Sequence, residues 1–385
     1  MSISRVLVFL SIVLTIDIGL HYFVWARLVR DTAVAAPYAR IASGVLIVLA
    51  CIIPITFIVG RSAPRVVAAP LAWAAFVWLG FLFFLFFLLL PLELVRLGAF
   101  VAGRPSDPDR RQFFTRALGV FVAASTVVMG GAGLYFGLQQ VPIKRVTVPL
   151  AKFPKALSGY TIVQLTDVHV GPTIGRDFID DLVSRTNALH PDLVAITGDL
   201  VDGSVEDLGP LLASLGKLRA KDGVYFVTGN HEYYSGADAW IAHLGKLGIR
   251  VLRNEHLPIR GAEGFDLAGV DDATAHQFGK GHGMNVKGAL EGRDPARALI
   301  LLAHQPKAIA DAALHGVDLQ LSGHTHGGQL FPWNLFVKLD QPYVAGLHVH
   351  EGTTIYVSCG TGYWGPPMRL GALAEITRIE LISAT

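Results

Sequence analysis

Five short blocks carry residues able to do chemistry. They are Asp167-Val168-His169, Gly198-Asp199, Gly229-Asn230-His231-Glu232, His304 and Gly323-His324-Thr325-His326. Each block ends a short apolar run: Tyr160–Thr166, Asp192–Thr197, Gly223–Thr228, Ala298–Ala303 and Val317–Ser322. Runs of this length, rich in β-branched residues, read as strands. In α/β sheets, ligands collect outside the carboxyl ends of the strands. Asp167, His169, Asp199, Asn230, His304, His324 and His326 therefore converge on one rim. Mixed oxygen and nitrogen donors of this kind suit divalent Mn, Fe or Zn. A lone histidine at a strand end is more often a packed residue, and a lone aspartate is often a helix cap. Five strand ends with the same chemistry are not explained that way.

The elements that must position these residues alternate between strand and helix. Arg176–Leu189, Asp207–Leu218 and Ala237–Leu247 read as helices. Phe265–Val270, Thr353–Ser358 and Glu375–Leu381 read as further strands. Alternation of this type predicts an α/β domain over residues 141–385. Asp271 and Asp272 follow one strand and either touch a substrate or cap a turn. His282, His348 and His350 fit no block and read as surface histidines.

The five blocks, in this order, resemble those of the calcineurin-like metallophosphoesterase superfamily, D-x-H, G-D, G-N-H-E, H and G-H-x-H. The likeness covers about residues 159–381. Gly323–Gln329, Gly360-Thr361-Gly362 and Gly365-Pro366-Pro367 resemble the membrane-anchored or exported branch. The resemblance implies a four-layer αββα sandwich. It implies two divalent metal ions, one held by Asp167, His169 and His326, the other by Asn230, His304 and His324, with Asp199 bridging. Two such cations can clamp the attacking and leaving oxygens of an in-line displacement. His231 is no ligand in the family pattern, which gives it the role of protonating the leaving oxygen or holding a phosphoryl oxygen. Glu232 reads as orienting a neighbour, and Asp202 as orienting a histidine. Arg369, in the Gly365–Gly371 loop, is a candidate substrate-binding residue, since arginine suits phosphate.

The implied reaction is hydrolysis of a phosphodiester, a phosphomonoester or a pyrophosphate. The Gly198–Gly203 stretch lacks the arginine that follows the second aspartate in protein Ser/Thr phosphatases, which argues against a phosphoprotein substrate. A phosphorylated small molecule or lipid, including a cell-envelope lipid, is the expected substrate. Some relatives act on UDP-2,3-diacylglucosamine, a substrate that would suit an inward-facing domain. The competing class is a non-catalytic metal-binding membrane sensor.

Residues 1–140 differ in kind. Val6–Ala26, Ile41–Gly60, Val67–Val95 and Ala117–Leu138 each reach the ~20 apolar residues that cross a bilayer. They predict an all-α bundle of four transmembrane helices. Pro70, Gly80 and Pro91 need not break the third, because membrane helices tolerate them. Residues 1–137 hold eleven Arg, no Lys and five acids, a charge of +6 within a whole-chain total of +2. The remainder is therefore −4, and the chain is not a strongly basic nucleic-acid binder. Arginines concentrate in the first and third loops (Arg27, Arg30, Arg40; Arg96, Arg104, Arg110, Arg111, Arg116), against Arg5, Arg61 and Arg65 on the other side. The positive-inside rule then places both termini, and the catalytic domain, outside the cytoplasmic membrane. Asp109-Arg110-Arg111-Gln112-Phe113-Phe114 resembles a twin-arginine export signal before the fourth span. Asp17 and His21 lie four apart on one face of the first span and read as a polar pair satisfied between helices. Cys51 and Cys359 are too distant in sequence and setting to suggest a disulfide.

Overall fold

A computed structural model describes residues 3–60, 63–102 and 107–384. Arg61 and Arg104 of the loop count lie outside these residues. The chain divides into two compact units, one formed by Met1–Leu138 with Gly365–Met368, the other by Gln139–Trp364 with Arg369–Thr385.

The first unit contains four long helices: α1 (Ile3–Trp25), α2 (Ala36–Val59), α3 (Arg65–Val101) and α4 (Pro108–Leu138). All four are long and apolar enough to cross a membrane. α3 runs unbroken through Pro70 and Pro91. Small residues allow close approach, as where Gly130 of α4 leaves room for the Phe81 ring of α3. His21 and Asp17 are both buried. The Trp78 indole donates to His21 Nε2 at 2.8 Å, which leaves the proton on Nδ1 facing the Asp17 carbonyl at 2.8 Å. The pair is thus satisfied inside the bundle. At one end, Arg27 bridges Asp31 and Glu93, and Arg96 reaches Glu93 at 3.1 Å. Arg110 and Arg111 fall in the first turn of α4.

The second unit holds two six-stranded sheets. Its strands are β1 (Ile143–Leu150), β2 (Tyr160–Leu165), β3 (Leu193–Ile196), β4 (Val224–Phe226), β5 (Arg250–Val251) and β6 (Glu255–Ile259). They continue with β7 (Phe265–Gly269), β8 (Leu299–Leu302), β9 (Leu319–Ser322), β10 (Gly346–His350), β11 (Thr353–Val357) and β12 (Ile376–Ser383). One sheet has the order β1-β12-β2-β3-β4-β5, the other β10-β11-β9-β8-β7-β6. The site-bearing strands β2, β3 and β4 are mutually parallel, as are β7, β8 and β9.

These central strands are buried on both faces, which is why they read as unbroken apolar runs. Side chains alternate strictly between two cores. Val163, Leu165, Val194 and Ile196 pack with Ile179, Leu182, Trp240 and Leu244 of the helices Arg176–Ala188 and Ala237–Lys246. Ile162, Leu193 and Ala195 instead meet Ile300, Leu302, Leu319 and Leu321 of the facing sheet. Leu299 and Leu301 turn outward onto Val286, Ala289, Ile309 and Ala312. The result is four layers, helix, sheet, sheet, helix, as expected.

Asp207–Leu218 is not one helix. It breaks into a short α-turn, Val205–Leu208, and two 3₁₀ turns, Gly209–Leu211 and Ala213–Lys217. Pro210 cannot donate a helical hydrogen bond, and Gly209 and Gly216 weaken what remains. β6 and β10 emerge as edge strands where the sequence shows no clear alternation.

Candidate functional site

The five blocks leave their strands at one rim. β2, β3 and β4 of one sheet carry Asp167, His169, Asp199, Asn230 and His231. β8 and β9 of the other carry His304, His324 and His326. Gln164 ties the sheets beneath them, donating to Ser322 O at 3.0 Å and to Thr197 Oγ1 at 2.9 Å.

The chain turns sharply to aim these side chains. Asp167, His169, Asp199, His324 and His326 all have φ between 51° and 70°. Left-handed backbone in non-glycine residues is costly and clusters at functional sites. Glycine makes the turns close enough. A Cβ on Gly198 (φ 91°) would lie 2.6 Å from Gly229 N and 2.7 Å from His304 Nδ1. A Cβ on Gly229 would strike Asp199 Oδ1. The paired glycines therefore let the two loops lie backbone to backbone.

The predicted ligands form two overlapping sets. In the first, His169 Nε2 and His326 Nε2 are 3.0 Å apart, and His326 Nε2 is 3.5 Å from Asp167 Oδ1. In the second, His304 Nε2 lies 3.1 Å from Asp199 Oδ2 and 3.3 Å from His324 Nδ1. Asp199 Oδ2 is also 3.9 Å from His169 Nε2, so this oxygen stands between the sets. Asp167, His169 and His326 have ligand atoms mutually within 4.8 Å, as do Asp199, His304 and His324.

The imidazoles turn ring nitrogens inward. His304 Nδ1 sits 2.7 Å from Thr197 O, which fixes a proton there and points Nε2 at Asp199. Burial opposes its charge, but Asp199 and Asp167 hold His304 well above the usual histidine range, a positive charge that a bound cation would replace. His169 Nδ1 donates to Asp202 Oδ1 at 3.1 Å, which turns its Nε2 inward. Burial and neighbouring His304 push His324 down to about 3. Burial, His169 and Arg369 hold His326 well below the usual histidine range. Both are therefore neutral donors of lone pairs. Asn230 buries a side-chain oxygen that no hydrogen-bond donor meets. Buried acceptors without donors are costly, and converging carboxylate, imidazole and amide lone pairs are what a divalent cation satisfies. The residues present fit such ions.

His231 stands beside this cluster, part-buried. Its backbone N–H donates to Asp199 Oδ1 at 2.9 Å, and its Nδ1 donates to Asp202 Oδ1 at 2.6 Å. Its Nε2 then lies 4.0 Å from Asp199 Oδ2. Burial opposes its charge, yet Asp199 and Asp202 push its pKa up to about 9. One oxygen of Asp202 thus orients two imidazoles, His169 and His231. Glu232 is fully buried and accepts three backbone N–H groups, of Gly229, Asp199 and Leu200, at 2.7, 2.9 and 2.7 Å. It orders the loops and faces no substrate.

Arg369 departs from the expectation of phosphate binding. It is fully buried. Its guanidinium donates to the carbonyls of Gly362, His326, Cys359 and Ala372, and Nη2 lies 3.2 Å from His326 Nδ1. No face remains for a substrate, and the role is to hold His326 and its surrounding loops. The Gly360-Thr361-Gly362 motif lies against the first block: Thr361 N donates to Thr166 O at 2.7 Å and Gly362 N to Asp167 O at 2.9 Å. Asp271 and Asp272 are buried, not substrate-facing. Asp271 is paired with Arg253 at 2.6 Å, and Asp272 accepts from Thr274 and Gln305. His282 packs against Tyr233, and His350 against Tyr343.

A profile of the calcineurin-like phosphoesterase family matches residues 160–328. Over 290 residues the chain is 44% identical to a Bos taurus transmembrane protein with metallophosphoesterase domain, covering 72% of this chain and 65% of that one. The Danio rerio protein of the same name is 42% identical over 268 residues, covering 67% and 61%. A Helicobacter pylori (strain J99) uncharacterized metallophosphoesterase is 40% identical over 277 residues, covering 71% of this chain and 73% of its own. The chain spans less than two thirds of the length of the first two relatives. The profile spans all five strand-end blocks, and together these matches establish that the chain belongs to the calcineurin-like phosphoesterase family.

Proposed function

We propose that the protein is a membrane-anchored phosphoesterase working with two divalent cations. The observation that carries this reading is the pair of ligand clusters with Asp199 Oδ2 standing between them, imidazole nitrogens turned inward, and the Asn230 oxygen left without a donor. Asp167, His169 and His326 would hold one ion, Asn230, His304 and His324 the other, and Asp199 both. Cations bound there supply Lewis acidity toward a phosphoryl oxygen and make water more acidic. Asp199 and the histidines fix their separation, and Asp202 sets the orientation of His231. Water adds to phosphorus and gives up a proton to solvent, the P–O bond to the leaving group breaks, and the proton from His231 Nε2 ends on the leaving oxygen. A sensor would need the ligands but no oriented proton donor beside them, and the carboxylate that orients the ligand His169 also orients His231.

The substrate we infer is a phosphodiester, phosphomonoester or pyrophosphate of a lipid or cell-envelope molecule. The four apolar helices and their arginine-rich first and third loops support a multi-pass protein of the cytoplasmic membrane with the catalytic unit outside. The Arg110-Arg111 pair, in the first turn of α4, is consistent with twin-arginine export.

The test is metal-dependent turnover of bis-p-nitrophenyl phosphate by the full chain. Asp199→Ala and His231→Ala should each abolish it. Turnover that survives chelation would overturn the reading. An exposed cysteine placed in the catalytic unit should react with a membrane-impermeant maleimide in intact cells, whereas labelling only after lysis would reverse the topology.

A further inference from the structure

Two aromatic side chains stand open beside His231, and a third stands beside one of them. Tyr234 is 62% exposed, Trp364 57% and Phe278 41%. The Tyr234 ring lies 5.2 Å from the His231 ring and 5.5 Å from Phe278. Trp364 lies 5.8 Å from His231. Rings this exposed add little to a core, and a run of them beside a reactive imidazole marks a binding surface. Trp364 is also held in place. The Gln329 amide donates to its carbonyl and accepts its N–H, each at 2.9 Å. Gln329 is three residues beyond His326, so the same loop positions a proposed metal ligand and the ring. Phe331, Leu335 and Leu339, further along the chain, are also exposed.

We propose that this surface binds the apolar body of a phosphate ester, with Tyr234 and Trp364 packed against the group that departs past His231. The inference rests on the phosphoesterase reading above and adds to it the residues that select the substrate: the phosphate of an amphiphile enters the metal centre while its apolar part lies on the rings. Aromatic surface beside the proton donor selects for bulk without charge. Tyr234 and Trp364 then act as specificity residues.

Calorimetry of methylphosphonate and hexylphosphonate binding tests this, using the full chain in phosphatidylcholine nanodiscs loaded with manganese. A fully buried methylene is worth about fourfold in affinity, so a chain resting half-buried on the rings should bind at least about 10-fold more tightly than the methyl compound. Combining Tyr234→Ser with Trp364→Ser should cut that preference below about threefold. Combining Tyr234→Phe with Trp364→Phe should keep it, which separates ring loss from damage to the fold. Equal affinities in the native chain, a preference that survives both serine substitutions, or its loss in the phenylalanine pair would overturn the inference. Turnover of bis-p-nitrophenyl phosphate without chain-length preference would refute the inference and leave the phosphoesterase reading standing. Absence of turnover would refute that reading, while the binding preference is measured separately.

Discussion

Replacing Arg369 with lysine separates a phosphate-binding arginine from a buried clamp. The guanidinium reaches four carbonyls, those of Gly362, His326, Cys359 and Ala372. Lysine carries three donors on one compact centre and cannot span that spread. If it satisfies two of the four, two buried carbonyls lose their donors. Each orphaned group costs about 1–3 kcal/mol, so the loss is about 2–4 kcal/mol when the loops relax partly. For a unit of this size that corresponds to a fall in Tm of about 4–16 °C. His326 also loses the group that packs against Nδ1, so manganese should bind about 10–100-fold more weakly. The assay is thermal unfolding of the full chain with and without manganese, alongside calorimetric metal binding and steady-state kinetics. The clamp reasoning fails if Tm and metal affinity match the native chain while KM alone rises, because that is how a phosphate contact would behave.

Three further outcomes are expected. Asp202→Asn should lower metal affinity or turnover about 10–100-fold, because one oxygen orients both His169 and His231; metal titration and kcat read this together. Gly198→Ala should yield a chain that no longer retains stoichiometric metal by elemental analysis, since its Cβ would strike Gly229 N and His304 Nδ1. Asp192 is held below its ordinary pKa: burial opposes the shift, but Lys221 and Thr161 outweigh it. A depressed carboxylate contributes stability above its unfolded value, about 3.9, and loses it as pH falls through the folded value. Asp192→Asn should therefore lower Tm at pH 7, with the gap closing as pH falls below about 4.

The rim was legible because its chemistry is written in short local blocks. Asp167, His169, Asp199, Asn230, His304, His324 and His326 each end a strand whose apolar run is visible in sequence. The same holds for the membrane helices, where length and composition suffice. What sequence hides is the choice of partner across the fold. Arg369 looks like a free loop cation until its carbonyl acceptors, three to forty-three residues away, are known. Asp271 looks substrate-facing until Arg253 is found beside it. β6 and β10 escaped because edge strands need only one apolar face, and His348, His350 and Pro258 blur even that. The Asp207–Leu218 segment carried helical spacing, but Gly209-Pro210 overrode it.

The seven proposed ligands come from both sheets, four from one and three from the other. A cation shared between them would clasp the two sheets at their open end, opposite the packed apolar interior. Its residence time would then be set by how often the sheets part there, not by ligand strength alone. Exchange of the metal and opening of the seam become the same event, and hydrogen exchange at Thr166, Thr197 and Ser322 would report on both.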